Sequence, residues 1–368
     1  MSVFKNISIL FLSLILISAC ATKTAEKNST ASPTTIESEQ NNNEPIETAR
    51  LDSSQVFTKL AFGSCSHQKQ PQPIWTTMLN ANPDLYISMG DMVYASKPED
   101  KPIAEQYRLQ SLVPEFRKFH SLKPVIGVWD DHDFGQNDGG ADNKFNEEAR
   151  LAYLQFFQDD AGYITRSQNG IYHSIFLGPA DKTIQIIFLD TRYFRSPLEK
   201  NEHPKDPLDI YQPTADKSKT FLGEKQWQWL NKELKKPAEI KIVISSVEFL
   251  AEEHGFEKWA LFPHERQRFL DLLKNIKPKN LFIISGDRHI AEISKMNVPG
   301  YGDLYDITSS GINRKVDKRE EANKYRVGEI FNPNNFGLAN VDWQKRKIRF
   351  DIIGTDGKSA NGFEVNLK

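Results

Sequence analysis

A chain of 368 residues with 39% hydrophobic and 26% charged side chains has the make-up of an ordinary globular protein, with room for one large or two modest domains. Its formal charge of −2 argues against a nucleic-acid or other polyanion partner.

The N-terminus departs from that average. Lys5 is followed by an apolar run over residues 7–17, too short to span a bilayer comfortably and suited to a signal-peptide core. It ends in Ile17-Ser18-Ala19-Cys20, which resembles the lipobox of bacterial lipoproteins, where small residues precede the cysteine that becomes lipidated. A plain cleaved secretory signal is the alternative, and both imply export. The residue after Cys20 is not Asp, and the Gram-negative sorting pattern this resembles favours the outer membrane. Residues 21–53 are rich in Thr, Ser, Asn, Glu and Pro and poor in large apolar side chains, so they are expected to form a disordered tether. The folded domain is expected over 54–368. If Cys20 carries lipid, Cys65 has no disulfide partner in the chain. A lone thiol in an oxidising compartment must then be buried or bound to metal.

Within the folded part, residues 57–62 predict a core strand running into Gly63-Ser64-Cys65-Ser66. A short helix over 75–80 precedes a strand over 84–89, which delivers Gly90-Asp91-Met92-Val93-Tyr94. Residues 103–119 have apolar side chains near helical spacing. A third strand, 124–129, opens into Asp130-Asp131-His132-Asp133, and Asn137-Asp138-Gly139-Gly140 reads as a turn. A helix is expected over 144–158, strands over 172–178 and 183–190, and a long surface loop over 196–220 of the kind that often covers a site. A helix over 223–235, a strand over 241–246 and a helix over 263–276 with proline in its first turn follow. The apolar run 281–285 then stops in Gly286-Asp287-Arg288-His289, and beyond it the pattern is mostly β, over 289–296, 304–308, 336–343, 347–354 and 363–367. The order predicts an α/β protein built as a four-layer α/β/β/α sandwich.

Four strand ends therefore carry Cys65, then Asp91 and Tyr94, then Asp131 and His132, then Asp287 and His289. In extended backbone Asp287 and His289 point the same way, and a carboxylate beside an imidazole suits a metal. A Gly-Asp turn with a surface histidine is the plainer reading of that pair. Thiolate, phenolate, carboxylate and imidazole together suit two adjacent cations, and a cation pair roughly 3.5–4 Å apart suits phosphoester hydrolysis.

At these residues the chain resembles a known family. Gly90-Asp91-Met92-Val93-Tyr94 is similar to the Gly-Asp-x-x-Tyr block of calcineurin-like metallophosphoesterases, in which the tyrosine binds ferric iron as in purple acid phosphatases. Trp129-Asp130-Asp131-His132-Asp133, continuing to Asn137-Asp138, resembles the Asp-Asp-His-[Asp/Glu] version used by alkaline phosphatase D (PhoD-like) enzymes. The blocks at Cys65, Leu189-Asp190-Thr191-Arg192, Trp259 and Asp287-Arg288-His289 are similar to the same family. The resemblance implies a phosphate-ester hydrolase in which Cys65, Asp91, Tyr94, Asp287 and His289 hold iron, with Asp91 bridging. Asp131, with Asn137, serves a second site suited to a hard ion such as calcium, and other divalent metals remain open. His132 is the implied general acid or transition-state stabiliser. Arg192 either contacts the phosphate or forms a structural ion pair with Asp190, and Arg288 is expected to be structural. His67, His120, His173, His203, His254 and His264 lack such context and are assigned surface or core roles.

Two departures weaken a classical dizinc or dimanganese reading. Val243-Ile244-Ser245-Ser246 stands where many metallophosphoesterases have a histidine, and Asp287 replaces the first histidine of Gly-His-x-His. The competing class is a surface lipoprotein that binds metal or ligand without catalysis. Gly354-Thr355-Asp356-Gly357-Lys358-Ser359 lacks the first glycine of a P-loop, and no Gly-x-Ser-x-Gly elbow occurs.

Overall fold

Apolar runs that stop in polar residues become short strands buried on both faces. The structure, a computed structural model, describes residues 47–157, 164, 168–316 and 320–368. The expected signal segment, Cys20 and most of the tether lie outside the described residues. Contacts group Pro45–Lys368 as one compact unit.

In chain order the elements begin with β1 (Lys59–Gly63), α1 (Ile74–Asn80), β2 (Leu85–Met89), α2 (Ile103–Leu112), α3 (Pro114–Leu122), β3 (Val125–Val128) and α4 (Asn146–Phe157). The middle of the chain supplies β4 (His173–Leu177), β5 (Ile184–Phe188), a ribbon of β6 (Glu199–Lys200) with β7 (Tyr211–Gln212), α5 (Glu224–Lys235), β8 (Ile240–Ser245), α6 (Pro263–Ile276) and β9 (Leu281–Ser285). It closes with β10 (Ala291–Val298), β11 (Gly302–Ser309), β12 (Asn335–Asp342), β13 (Lys347–Gly354) and β14 (Ser359–Asn366). Two six-stranded sheets result, ordered β14-β13-β12-β1-β2-β3 and β10-β11-β9-β8-β5-β4. Strands β1, β2 and β3 run parallel, as do β5, β8, β9 and β11.

Side-chain alternation along each strand separates the layers. Ile184, Ile186, Phe188, Ile242, Ile244 and Ile284 share a core with Leu60, Phe62 and Ile87 of the other sheet. Phe350 of β13 bridges it, with ring centroids 4.9 Å from Phe282 and 6.4 Å from Phe62. Their neighbours Ile187, Val243, Leu281 and Ile283 face outward onto Trp227, Leu230, Phe269 and Leu273 of α5 and α6. On the opposite outer face, Trp75 of α1 and Phe119 of α3 pack against Tyr86 of β2. Burial of each such Ile or Phe contributes roughly 1.5–3 kcal/mol, which is what holds the expected four layers together.

Three differences from expectation exceed two residues. The helix expected over 103–119 divides into α2 and α3, because Pro114 has no N–H to continue the ladder and the preceding Val113 is extended (φ −61°, ψ 119°). The loop over 196–220 contains the β6–β7 ribbon. Strand β14 begins four residues before the expected 363; its exposed polar residues leave no apolar run to read.

Candidate metal centre

Each candidate residue follows the carboxyl end of a parallel strand, where a ligand site of an α/β sheet is expected. Here the ends of β1, β2 and β3 from one sheet meet the end of β9 from the other. The loops are stitched together through the backbone: Ser66 N–H donates to Asp91 C=O (2.7 Å) and Ala95 N–H to His132 C=O (3.2 Å). Cys65, Asp91, Asp287 and His289 all have positive φ, at 64°, 50°, 70° and 59°. Left-handed backbone at four non-glycine residues is strain held at a working site. Gly90 lets the ends of β2 and β3 approach: with φ +100° it lies so near the β3 end that an added Cβ would sit 2.4 Å from Asp130 Cβ.

Three groups of donor atoms result, each converging within 4.8 Å: Cys65, Asp91 and His289; Asp91, Asp131 and His132; and Asp130, Asp131 and Asp287. Asp91 belongs to the first two, the position of a bridging carboxylate. The Cys65 thiol is buried, 3.5 Å from Asp91 Oδ2 and 3.1 Å from Ser310 Oγ. Tyr94 Oη is 3.0 Å from His289 Nε2, which brings the phenol into the first group. His132 N–H donates to Asp131 Oδ1 (2.8 Å) and Asp91 Oδ1 (3.2 Å), and its Nδ1 lies 2.7 Å from Ser96 Oγ.

The sequence reading puts Asp287 with Cys65 and His289; in the structure its carboxylate converges with Asp130 and Asp131, while it still lies within electrostatic reach of the Cys65 thiol and Asp91. The expectation assumed extended backbone after β9, and the left-handed φ at both Asp287 and His289 removes the same-side rule. Asn137 gains no support from its placement, being exposed; the next residue, Asp138, donates its N–H to Asp131 Oδ2 (2.8 Å) and accepts from Tyr211 Oη (2.5 Å). The ribbon of the long loop thus reaches the centre's edge.

Of the two readings of Arg192, its placement favours the structural ion pair, with other partners than expected: the guanidinium is fully buried between Asp130 (2.6 Å) and Glu257 (2.6 Å). The expected partner, Asp190, instead accepts from the backbone N–H groups of Ile171, Arg192 and Tyr193 and from Trp129 Nε1. Arg288 is structural as expected, paired with Glu248 and Glu321. The fourth member of the acidic row, Asp133, is a buried strut accepting from Val93 N–H, Asp130 N–H and Tyr107 Oη.

Sequence reasoning missed Asp130 as a donor, Ser96, Arg314 and His67, whose ring stacks on Tyr94 at 4.9 Å. Asp130 was legible as a neighbour of Asp131. The others come from loops whose approach depends on tertiary structure.

Electrostatics favour cations here. Burial, then the neighbouring carboxylates, push Asp91 and Asp287 well above the usual carboxylate range. Burial likewise lifts Asp130 to about 8 despite Arg192. Asp131 is the exception: burial raises it, but His132, Arg192 and the Asp138 N–H outweigh that and hold it at about 2. Burial lowers His132 below its ordinary range, opposed by Asp131. Asp130 Oδ2 is buried with no hydrogen-bond partner among the described residues. Unpaired buried carboxylate oxygen is costly, and this donor set fits metal ions: thiolate, phenolate and imidazole on one side for a transition metal, carboxylates on the other for a hard cation.

The family model of the PhoD-like phosphatases matches residues 60–322. Alkaline phosphatase D of Bacillus subtilis (strain 168) is 22% identical over 278 residues, covering 65% of this chain; the chain spans about half (47%) of that relative's length. The solved structure of PhoD superposes with a TM-score of 0.65 at 17% identity, covering 87% of this chain and 70% of that one. The purple acid phosphatase PPD1 from yellow lupin (Lupinus luteus) seeds gives 0.57 at 10% identity, covering 85% and 54%. The resemblance drawn from the Gly-Asp-x-x-Tyr and Asp-Asp-His-Asp blocks is borne out, as is the layered fold of metallophosphoesterase type: the chain belongs to the PhoD-like phosphatase family.

Proposed function

We propose that the chain is an exported, lipid-anchored metallophosphoesterase that hydrolyses phosphate monoesters or diesters at a two-site metal centre. The observation that carries this reading is the convergence of donors from four strand ends, with Asp91 shared between adjacent groups. Cys65, Asp91, Tyr94 and His289 would hold an iron ion, and Asp131, with Asp91 shared between the sites and Asp130 and Asp287 beside it, a hard ion such as calcium. When bound, such ions supply Lewis acidity that activates a water and neutralises charge on the phosphoryl oxygens. The chain's own residues do the rest. Asp91 fixes the spacing of the two groups and anchors the His132 backbone. Ser96 engages His132 Nδ1 and leaves Nε2 to protonate the departing alkoxide. Membrane attachment through Cys20 rests on the lipobox resemblance alone.

The test uses the compact unit starting at residue 45. It should release product from a chromogenic phosphate ester, lose that activity on exhaustive chelation and regain it when metal is returned. Full turnover by metal-free protein would refute the reading. Anchoring is tested separately by Cys20→Ala, which should move the protein from the membrane fraction to the soluble fraction.

A further inference from the structure

The loop after β11 brings Arg314 to the rim of the centre. Its guanidinium carbon lies 5.0 Å from the centroid of the Tyr94 ring, which also meets His67 at 4.9 Å and His132 at 4.1 Å. The fully buried arginines nearby are all held by acids: Arg192 by Asp130 and Glu257, Arg195 by Glu257, Arg288 by Glu321. Arg314, which is only partly buried, is different. It has no carboxylate partner among the described residues, and its Nε is buried without an acceptor. A guanidinium N–H removed from water and left unpaired is costly; the arrangement makes sense where an acceptor arrives with a ligand.

The loop is also fixed in place. Ile312 N–H donates to Ser64 C=O (3.2 Å) and Asn313 N–H to Cys65 C=O (3.3 Å). The Asn313 side chain accepts from His67 N–H (2.7 Å) and donates to His67 C=O (2.9 Å). Arg314 is therefore tied to the segment that carries Cys65, and its charge is held beside Tyr94 and His132 before any ligand binds. Such pre-organisation lowers the ordering cost of recognition.

We propose that Arg314 binds the non-bridging oxygens of the substrate's phosphate and makes the centre prefer monoesters to diesters. This rests on the phosphoesterase reading above. A guanidinium presents parallel N–H donors that match two phosphate oxygens. A monoester carries close to two negative charges above its second pKa near 6, whereas a diester carries one and has an oxygen blocked by its second ester. The same cation therefore contributes more to the monoester.

The experiment compares the metal-loaded full chain with Arg314→Met and Arg314→Lys. Inorganic phosphate binding is followed by calorimetry, kcat/KM is measured for a chromogenic monoester and its diester counterpart, and metal content is determined for each protein. Arg314→Met should retain its metal, bind phosphate roughly tenfold to a hundredfold more weakly, and lose monoester kcat/KM by a similar factor while the diester loses clearly less. Arg314→Lys, which keeps the charge without the fork, should recover part of the phosphate affinity. Unchanged phosphate binding in Arg314→Met, equal losses on both esters, or loss of metal in both variants would overturn the proposal. Wild-type protein that binds phosphate through Arg314 but hydrolyses neither ester would leave the anion site standing and sink the phosphoesterase reading instead.

Discussion

Replacing Arg192 by methionine distinguishes a structural arginine from a substrate contact. The guanidinium is 0% exposed and lies 2.6 Å from each of two buried carboxylates, Asp130 and Glu257. Its removal strands both. Glu257 keeps Arg195 at 3.0 Å, so Asp130 bears most of the loss. Breaking a buried pair by deleting one partner costs about 3–5 kcal/mol, because a charge is left without compensation. In a protein of this size each kcal/mol lowers Tm by roughly 2–4 °C, so Arg192→Met should melt roughly 6–20 °C below the parent. Melts followed by circular dichroism in excess chelator separate this effect from any change in metal binding. Adding Glu257→Gln should cost less than the sum of the two single changes, since it removes one of the stranded carboxylates. An unchanged melting temperature together with a raised KM would show that Arg192 serves the substrate and that the structural argument is wrong.

Further expectations concern other links of the chain from sequence to chemistry. His132→Ala should retain metal yet lose activity by about 10²–10⁴-fold, measured as kcat on a phosphate ester; a protein that only binds its ligand would be unaffected. Gly90→Ala forces a Cβ into Asp130 at a φ of +100° and should destabilise the fold by about 2–5 kcal/mol, read from urea denaturation. Tyr94→Phe should abolish visible absorption from a phenolate-to-iron transition; persistence of that band would remove Tyr94 from the first group. His120 is buried between Phe116 and Phe156, and burial depresses its imidazole from 6.5 to about 4. Between those values the unfolded chain binds the extra proton. Stability is therefore full above the ordinary pKa and falls with pH through this window by roughly 3 kcal/mol. His120→Phe should flatten that acid limb, and an unaltered pH profile would contradict the assignment.

The four strand ends were legible because an apolar run stopping abruptly in glycine and a charged residue is a local pattern. Cys65, Asp91, Asp131 and His289 could be nominated from it, and the parallel strands bring them together. The grouping of ligands was less legible. It depends on left-handed backbone at Asp287 and His289, which no periodicity announces. Arg192 was read against its sequence neighbour Asp190, yet its partners come from the loop after β3 and from Glu257, 65 positions further on. Arg314 and Ser96 carry no motif. Their importance lies in what the fold places beside them, Tyr94 for one and His132 for the other.

The central claim is that donors from both sheets enclose two cations. An anomalous-scattering crystal structure of the purified protein tests it most directly. The account predicts one ion ligated by Cys65, Asp91, Tyr94 and His289 and a second at Asp131, flanked by Asp130 and Asp287, with Asp91 between them. Metal-replete crystals with ions bound elsewhere, or with these side chains still in contact with one another and no ion among them, would contradict it.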